Sequence, residues 1–153
     1  MTIKAKRIKA VLNTNVFVAA YLSKNPKSPT IELLDRWRKG EFAVLYCEDL
    51  EREIIRKLLE KGISPSLIQL LISDFFIYGK EVNLSSKDVY RIVPADPEDD
   101  FIVACALKGK ATHIVTYDPH IKELGESYRG IKILEPIPLL KELRKQKLSK
   151  KIS

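Results

Sequence analysis

The chain reads as one α/β domain, a parallel sheet flanked by helices, and three observations predict this. Short β-branched and apolar runs, too short for helices, alternate along the chain with longer amphipathic stretches. The stretches between the strands are long enough for right-handed crossovers, which build a parallel sheet with helices on both faces. At 153 residues, 45% hydrophobic and 31% charged, the chain is large enough for a buried core and too apolar for disorder. Chemistry in such a fold collects at the carboxyl ends of the strands.

Ile8 to Leu12 is the first strand, and it runs into the polar triplet Asn13-Thr14-Asn15. Val16 to Leu22 is helix-compatible, and Pro26 and Pro29 mark the loop after it. Ser28-Pro29 supplies an N-cap and a first-position proline for a helix to about Lys39, which Gly40 ends. Phe42 to Tyr46 is the second strand. Asp49 to Glu60 gathers Leu50, Ile54, Ile55, Leu58 and Leu59 on one arc of a helix that Gly62 closes. Ser64-Pro65 opens another helix to about Tyr78, and Lys80 to Leu84 is a short third strand.

The acid-rich stretch Pro94-Ala95-Asp96-Pro97-Glu98-Asp99-Asp100 opens a helix to Leu107, closed by Gly109. Thr112 to Thr116 is the fourth strand, Pro119 to Leu124 a short helix, and Ile131 to Leu134 the fifth strand. A last helix starts at Pro138. The domain is expected over residues 1–145, with 146–153 a basic, disordered tail.

Composition excludes several classes. No apolar run reaches the ~18 residues of a membrane helix, and no apolar signal segment follows the charged Met1 to Lys9 stretch. A cytoplasmic protein with no membrane partner is expected. Cys47 and Cys105 lie far apart in core-like patterns without metal spacing, and read as reduced and chemically idle. The net charge of +7 sits at the ends: residues 1–9 carry +4 and residues 141–153 carry +5, leaving −2 for the body. A basic domain face therefore does not follow from the total. The basic ends either add non-specific attraction to a phosphate backbone or are simply solvated.

Four positions invite a site. On a helix, Asp99 falls in line with Ile102, Val103 and Ala106, and a carboxylate on a buried stripe must be paired, capped or bound to metal. Its alternative is a capping box with Asp96 as N-cap and Asp99 at N3. Glu98 and Asp100 point elsewhere and favour the helix N-terminus electrostatically. Asp118 follows a buried strand through Thr116 and Tyr117, where facing a cleft and capping the helix at Pro119 are equally open readings. Glu53 borders the apolar arc of its helix and Glu51 lies nearer its middle, and the helical wheel does not choose between them. Asn13, Thr14 and Asn15 either cap the following helix or brace nearby carboxylates.

These residues resemble a known family. Leu12-Asn13-Thr14-Asn15-Val16-Phe17-Val18 resembles the D-T-N-V opening of PIN-domain ribonucleases, and Cys47 to Leu58 resembles their second acidic motif, matched at Glu53. Asp96 to Ala106 resembles the third, with the metal-site acid at Asp99, and Val115-Thr116-Tyr117-Asp118 resembles the closing V-T-x-D, matched at Asp118. The similarity covers about residues 8 to 140 in order, and the D-P-x-D-D form is similar to the branch of VapC-type toxins of toxin–antitoxin pairs.

The resemblance implies a Rossmann-like five-stranded parallel sheet in the order 3-2-1-4-5. It implies cleavage of single-stranded RNA with Mg²⁺ or Mn²⁺, an antitoxin protein as partner, and a homodimer, for which the apolar helix Leu67 to Tyr78 either supplies the interface or is ordinary core. The metal residues implied are Asn13, Glu53, Asp99 and Asp118, braced by Thr14, Asn15, Thr116 and Asp96. Asn13 departs from the pattern, because an amide stands where the family has its first acid, so weaker metal binding and slower cleavage are expected. The rival expectation is an inactive fold of the same kind that binds RNA or protein. A nucleotide-binding fold of another type is disfavoured, since no glycine-rich loop follows the first strand.

Overall fold

The computed structural model describes residues 7–85, 87–88 and 97–152, with backbone alone at 97–99 and 149–152. In chain order the elements are β1 (Lys9–Leu12), α1 (Thr14–Leu22), α2 (Pro29–Arg38), β2 (Ala43–Tyr46), α3 (Glu48–Glu60), α4 (Pro65–Tyr78) and β3 (Lys80–Glu81). Then come α5 (Pro97–Lys108), β4 (His113–Val115), α6 (Pro119–Lys122), β5 (Ser127–Tyr128), β6 (Ile131–Leu134) and α7 (Pro136–Ile152). Gly40 and Gly62 end α2 and α3 at φ +78° and +79°, a conformation glycine adopts without strain.

One sheet holds the strands in the order β3-β2-β1-β4-β6-β5. The five expected strands are β1, β2, β3, β4 and β6. They are paired in parallel in the expected order, Lys9 opposite Ala43 and Ala10 opposite His113 on the two sides of β1. Among the described residues the count is six, not five. Ser127 and Tyr128 turn back on Ile131 and Lys132 as an antiparallel hairpin. Its two central residues, Arg129 and Gly130, both have positive φ (49° and 82°), as in a type I′ turn. A strand of two residues carries no alternation to read, which is why the sequence conceals it.

Every residue of β2 and β4, and the last three of β1, is buried. Burial of alternate side chains in both directions means that both sheet faces are covered. Phe17, Trp37 and Phe75 join α1, α2 and α4, with ring centroids 5.3–6.4 Å apart, and Tyr46 of β2 stacks on Phe75 at 4.6 Å. The last helix runs to Ile152, into the segment read from sequence as a basic tail; its Lys, Leu and Gln residues are good helix formers. Among the described residues no helix is long and apolar enough to cross a membrane.

His113 on β4 ties the sheet to α7. Its Nε2 lies 2.6 Å from Glu142 Oε2, and Glu142 also accepts from Lys132 Nζ at 2.8 Å. Burial pushes the imidazole below its ordinary 6.5, against the pull of Glu142. Burial works to raise Glu142, but the hydrogen bonds from Lys132 and His113 outweigh it and hold the carboxyl below 4.5. For His113 the unfolded chain binds more protons than the folded one near pH 6, so stability rises with pH there. Its contribution is complete above about pH 6.5 and lost as pH falls toward the lower folded value. Thermal melting is expected to drop between about pH 7 and 5, and His113→Gln should flatten that slope. An unchanged slope in the variant would remove His113 as its source.

Candidate functional site at the ends of β1 and β4

The paired ends of β1 and β4 bring the Asn13 and Thr116 side chains and the Asp118 backbone into one hydrogen-bonded set. Asn13 N–H donates to Val115 O at 2.9 Å, so the two strand ends are level. Asn13 Nδ2 donates to Thr116 Oγ1 at 2.8 Å, and the Asp118 N–H donates to the same oxygen at 2.9 Å. Asn13 Oδ1 accepts from the Thr14 N–H at 2.7 Å, which makes Asn13 the N-cap of α1. Asn15 Oδ1 accepts from the Tyr117 N–H at 3.3 Å, a second tie between the loops. Asn13 and Thr116 are buried, at 5% and 0% exposure.

Asp118 both caps and faces outward. Its Oδ1 accepts from the His120 N–H at 2.7 Å, as the N-cap of α6, and its side chain keeps 19% exposure. The capping reading of Asp118 is thus observed, with one carboxylate oxygen orienting the side chain. Thr14 Oγ1 is buried with no hydrogen-bond partner among the described residues. A buried hydroxyl left so costs stability unless something satisfies it.

Glu53 is half-buried on α3. It lines an open cleft of about 300 Å³ with Arg52, Arg56, Phe101 and Ile102, between α3 and the opening of α5. Glu51 belongs elsewhere. Burial, and then the charges of Glu81 and Glu48, push its carboxyl up, which puts it beside the β3 edge. Of the two acids, Glu53 is the one that lines this cleft.

Asp96 lies outside the described residues, and so does the side chain of Asp99, whose backbone is in the first turn of α5. Asp100 is the acid whose place is described, and it is buried at 3% exposure. This corrects the expectation that it points away from the interior. The signal was present but ambiguous. Ile102 through Ala106 are all buried, so the apolar stripe runs around the helix and fits Asp100 with Val103 and Ala104 as well as Asp99 with Ile102 and Val103.

Similarity to known proteins follows the same frame. The PIN domain family model matches residues 9–120, from the start of β1 to the residue after Pro119. The chain belongs to the PIN domain family. Among solved structures this PIN domain is similar to a chain in the crystal structure of VapBC2 from Rickettsia felis bound to a DNA fragment from their promoter. The TM-score is 0.57 at 17% identity, over 84% of this chain and 98% of that one, a likeness of fold. Among curated proteins none matches it.

The donor chemistry of this PIN domain fits a hard divalent cation. Asn13, Glu53 and Asp118 offer oxygens, Thr116 Oγ1 has both lone pairs engaged, and the buried Thr14 hydroxyl has no partner among the described residues. Charge is where it falls short: among the described residues no three His, Cys, Asp or Glu side chains gather closely enough to hold a metal ion.

Proposed function

We propose that this PIN domain is a divalent-metal-dependent endoribonuclease acting on single-stranded RNA in the cytoplasm, with a metal site weakened by Asn13. The observation that carries the reading is the hydrogen-bonded set Asn13–Thr116–Asp118, with the unsatisfied Thr14 hydroxyl beside it. The metal-holding residues are Asn13, Glu53, Asp118 and an acid at the opening of α5, where the motif resemblance implies Asp99 and burial points to Asp100. When bound, Mg²⁺ or Mn²⁺ supplies a polarised water and a counter-charge for the scissile phosphate. The chain's own part is orientation. The His120 N–H turns Asp118, and Thr116 Oγ1 fixes Asn13 and the Asp118 backbone in one register. Thr14, Asn15, Thr116 and Asp96 are the bracing residues of this proposal.

A protein partner belongs to the same reading. Apolar side chains are uncovered around the outward half of α4, with Leu70 at 61%, Phe76 at 87% and Ile77 at 64% exposure, and Leu70 lines a cleft of about 320 Å³ with Tyr21, Leu34 and Leu67. Such a face suits an antitoxin or a second copy of the chain. The alternative function, an RNA- or protein-binding domain without cleavage, is favoured by one fact: both polar ends of the Asn13 amide are already engaged within the protein.

Incubation with single-stranded RNA and Mn²⁺, beside Asp118→Asn and an EDTA control, tests the enzyme. Cutting by the wild type is expected, lost in EDTA and reduced at least about 100-fold in the variant. Cutting that persists in EDTA would rule out the metal, and equal cutting by Asp118→Asn would rule out this site.

A further inference from the structure

The cleft between α3 and α5 has an arrangement that the metal-site reading does not use. Arg52 and Arg56 are four residues apart on α3, hence on one face and about 6 Å apart along the axis. Both arginines line the cleft, together with Asp49 and Glu53 of the same helix, and their side chains are 70% and 50% exposed. Arg52 pairs with Glu48 and Arg56 with Glu60, whose own side chains are 69% and 51% exposed. An exposed pair at this spacing is weak, so exchanging Glu48 on Arg52 for another oxyanion is cheap. A guanidinium binds phosphate through a planar fork, which lysine does not offer.

Opposite them, half-buried Phe101 and buried Ile102 form an apolar wall at the first turns of α5. Two cations interleaved with Asp49 and Glu53 on one side, and an aromatic ring on the other, supply the components of a single-strand path, with phosphates on the arginines and a base on the ring. A duplex would keep its bases stacked inside and leave the ring unused. The body of the chain is slightly acidic overall, so this pair of arginines is a local feature and not part of a general basic surface.

We infer that Arg52 and Arg56 hold successive backbone phosphates of a single-stranded RNA while Phe101 stacks on one of its bases, which leads the strand past Glu53. The inference rests on the proposed nuclease reading for its choice of ligand, and it is tested without cleavage. Binding of a fluorescein-labelled single-stranded RNA is followed by anisotropy in EDTA over a range of salt. Each phosphate contact contributes about 0.7 to the slope of log K against log salt on a single strand, so Arg52→Gln and Arg56→Gln should each lower the slope by about that amount. Phe101→Leu should weaken binding roughly ten- to hundredfold and leave the slope unchanged, since it removes stacking and no charge. A double-stranded RNA competitor should displace the strand poorly.

Melting curves check that the variants fold, and Arg52 and Arg56 are exposed enough to be replaced without loss of core. Slopes unchanged in both arginine variants, no loss on Phe101→Leu, or no binding by the wild type at low salt would each overturn the path. Cleavage that survives all three substitutions would keep the nuclease reading and sink the path. Binding with the expected slopes but no cleavage by any variant would do the reverse.

Discussion

Asn13→Asp is expected to tighten Mn²⁺ binding at least about tenfold and to raise RNA cleavage by a similar factor. The physical reason is one negative charge placed where it faces the proposed cation. Two unit charges at 4 Å attract by about 4 kcal/mol at an effective dielectric of 20, and a divalent ion doubles this before desolvation is subtracted. The surroundings can accept a carboxylate. The Thr14 N–H that now donates to Asn13 Oδ1 can donate to an Asp oxygen, and Thr116 Oγ1, which now accepts from Nδ2, can turn its own proton toward the new group.

The same change carries a cost in the absence of metal. Position 13 is 5% exposed, and a buried carboxylate without a cation is destabilising. In EDTA the variant should lose about 2 kcal/mol, or roughly 4–8 °C in melting temperature for a chain of this size. Mn²⁺ should restore it by mass action and leave the wild type less affected. Calorimetry and melting with and without metal give both numbers. Equal metal affinity in the two proteins would mean that position 13 does not face the cation at all.

The legible parts of this molecule were those where burial leaves a pattern. Val11 and Leu12, Val44 and Leu45, and Ile114 and Val115 are buried in consecutive pairs on short runs, and such runs mark interior parallel strands. The polar residues that follow them, Asn13 and Thr116, then lie side by side because β1 and β4 are neighbours in register. What stayed illegible depended on contacts distant in sequence or on elements too short to show a period. Glu53 and Glu51 separate only because Glu81 of β3 sits near one of them. The hairpin at Ser127 depends on a two-residue turn whose Arg-Gly sequence is a weak signal. Helix α5 is apolar around most of its circumference, so periodicity placed neither Asp99 nor Asp100 uniquely.

That last ambiguity yields the second large expected effect. Asp99 and Asp100 differ by about 100° around α5, so they cannot both face the ends of β1 and β4. Asp100 is buried at the opening of α5. A carboxylate so placed is expected to be the one α5 contributes. Asp100→Asn should therefore reduce Mn²⁺ affinity and cleavage at least about 100-fold, the scale on which even less direct partners of a metal act. Asp99→Asn should change both by less than about threefold, the ordinary spread for a first-turn acid that acts on the helix dipole. Melting separates a folding defect from a lost ligand. The substitution removes a buried charge and keeps the shape, so Asp100→Asn should fold, while the rise in melting temperature that Mn²⁺ gives the parent should vanish. If that rise vanishes instead in Asp99→Asn and persists in Asp100→Asn, the acid implied by the motif is the ligand. The burial of Asp100 then has a structural role.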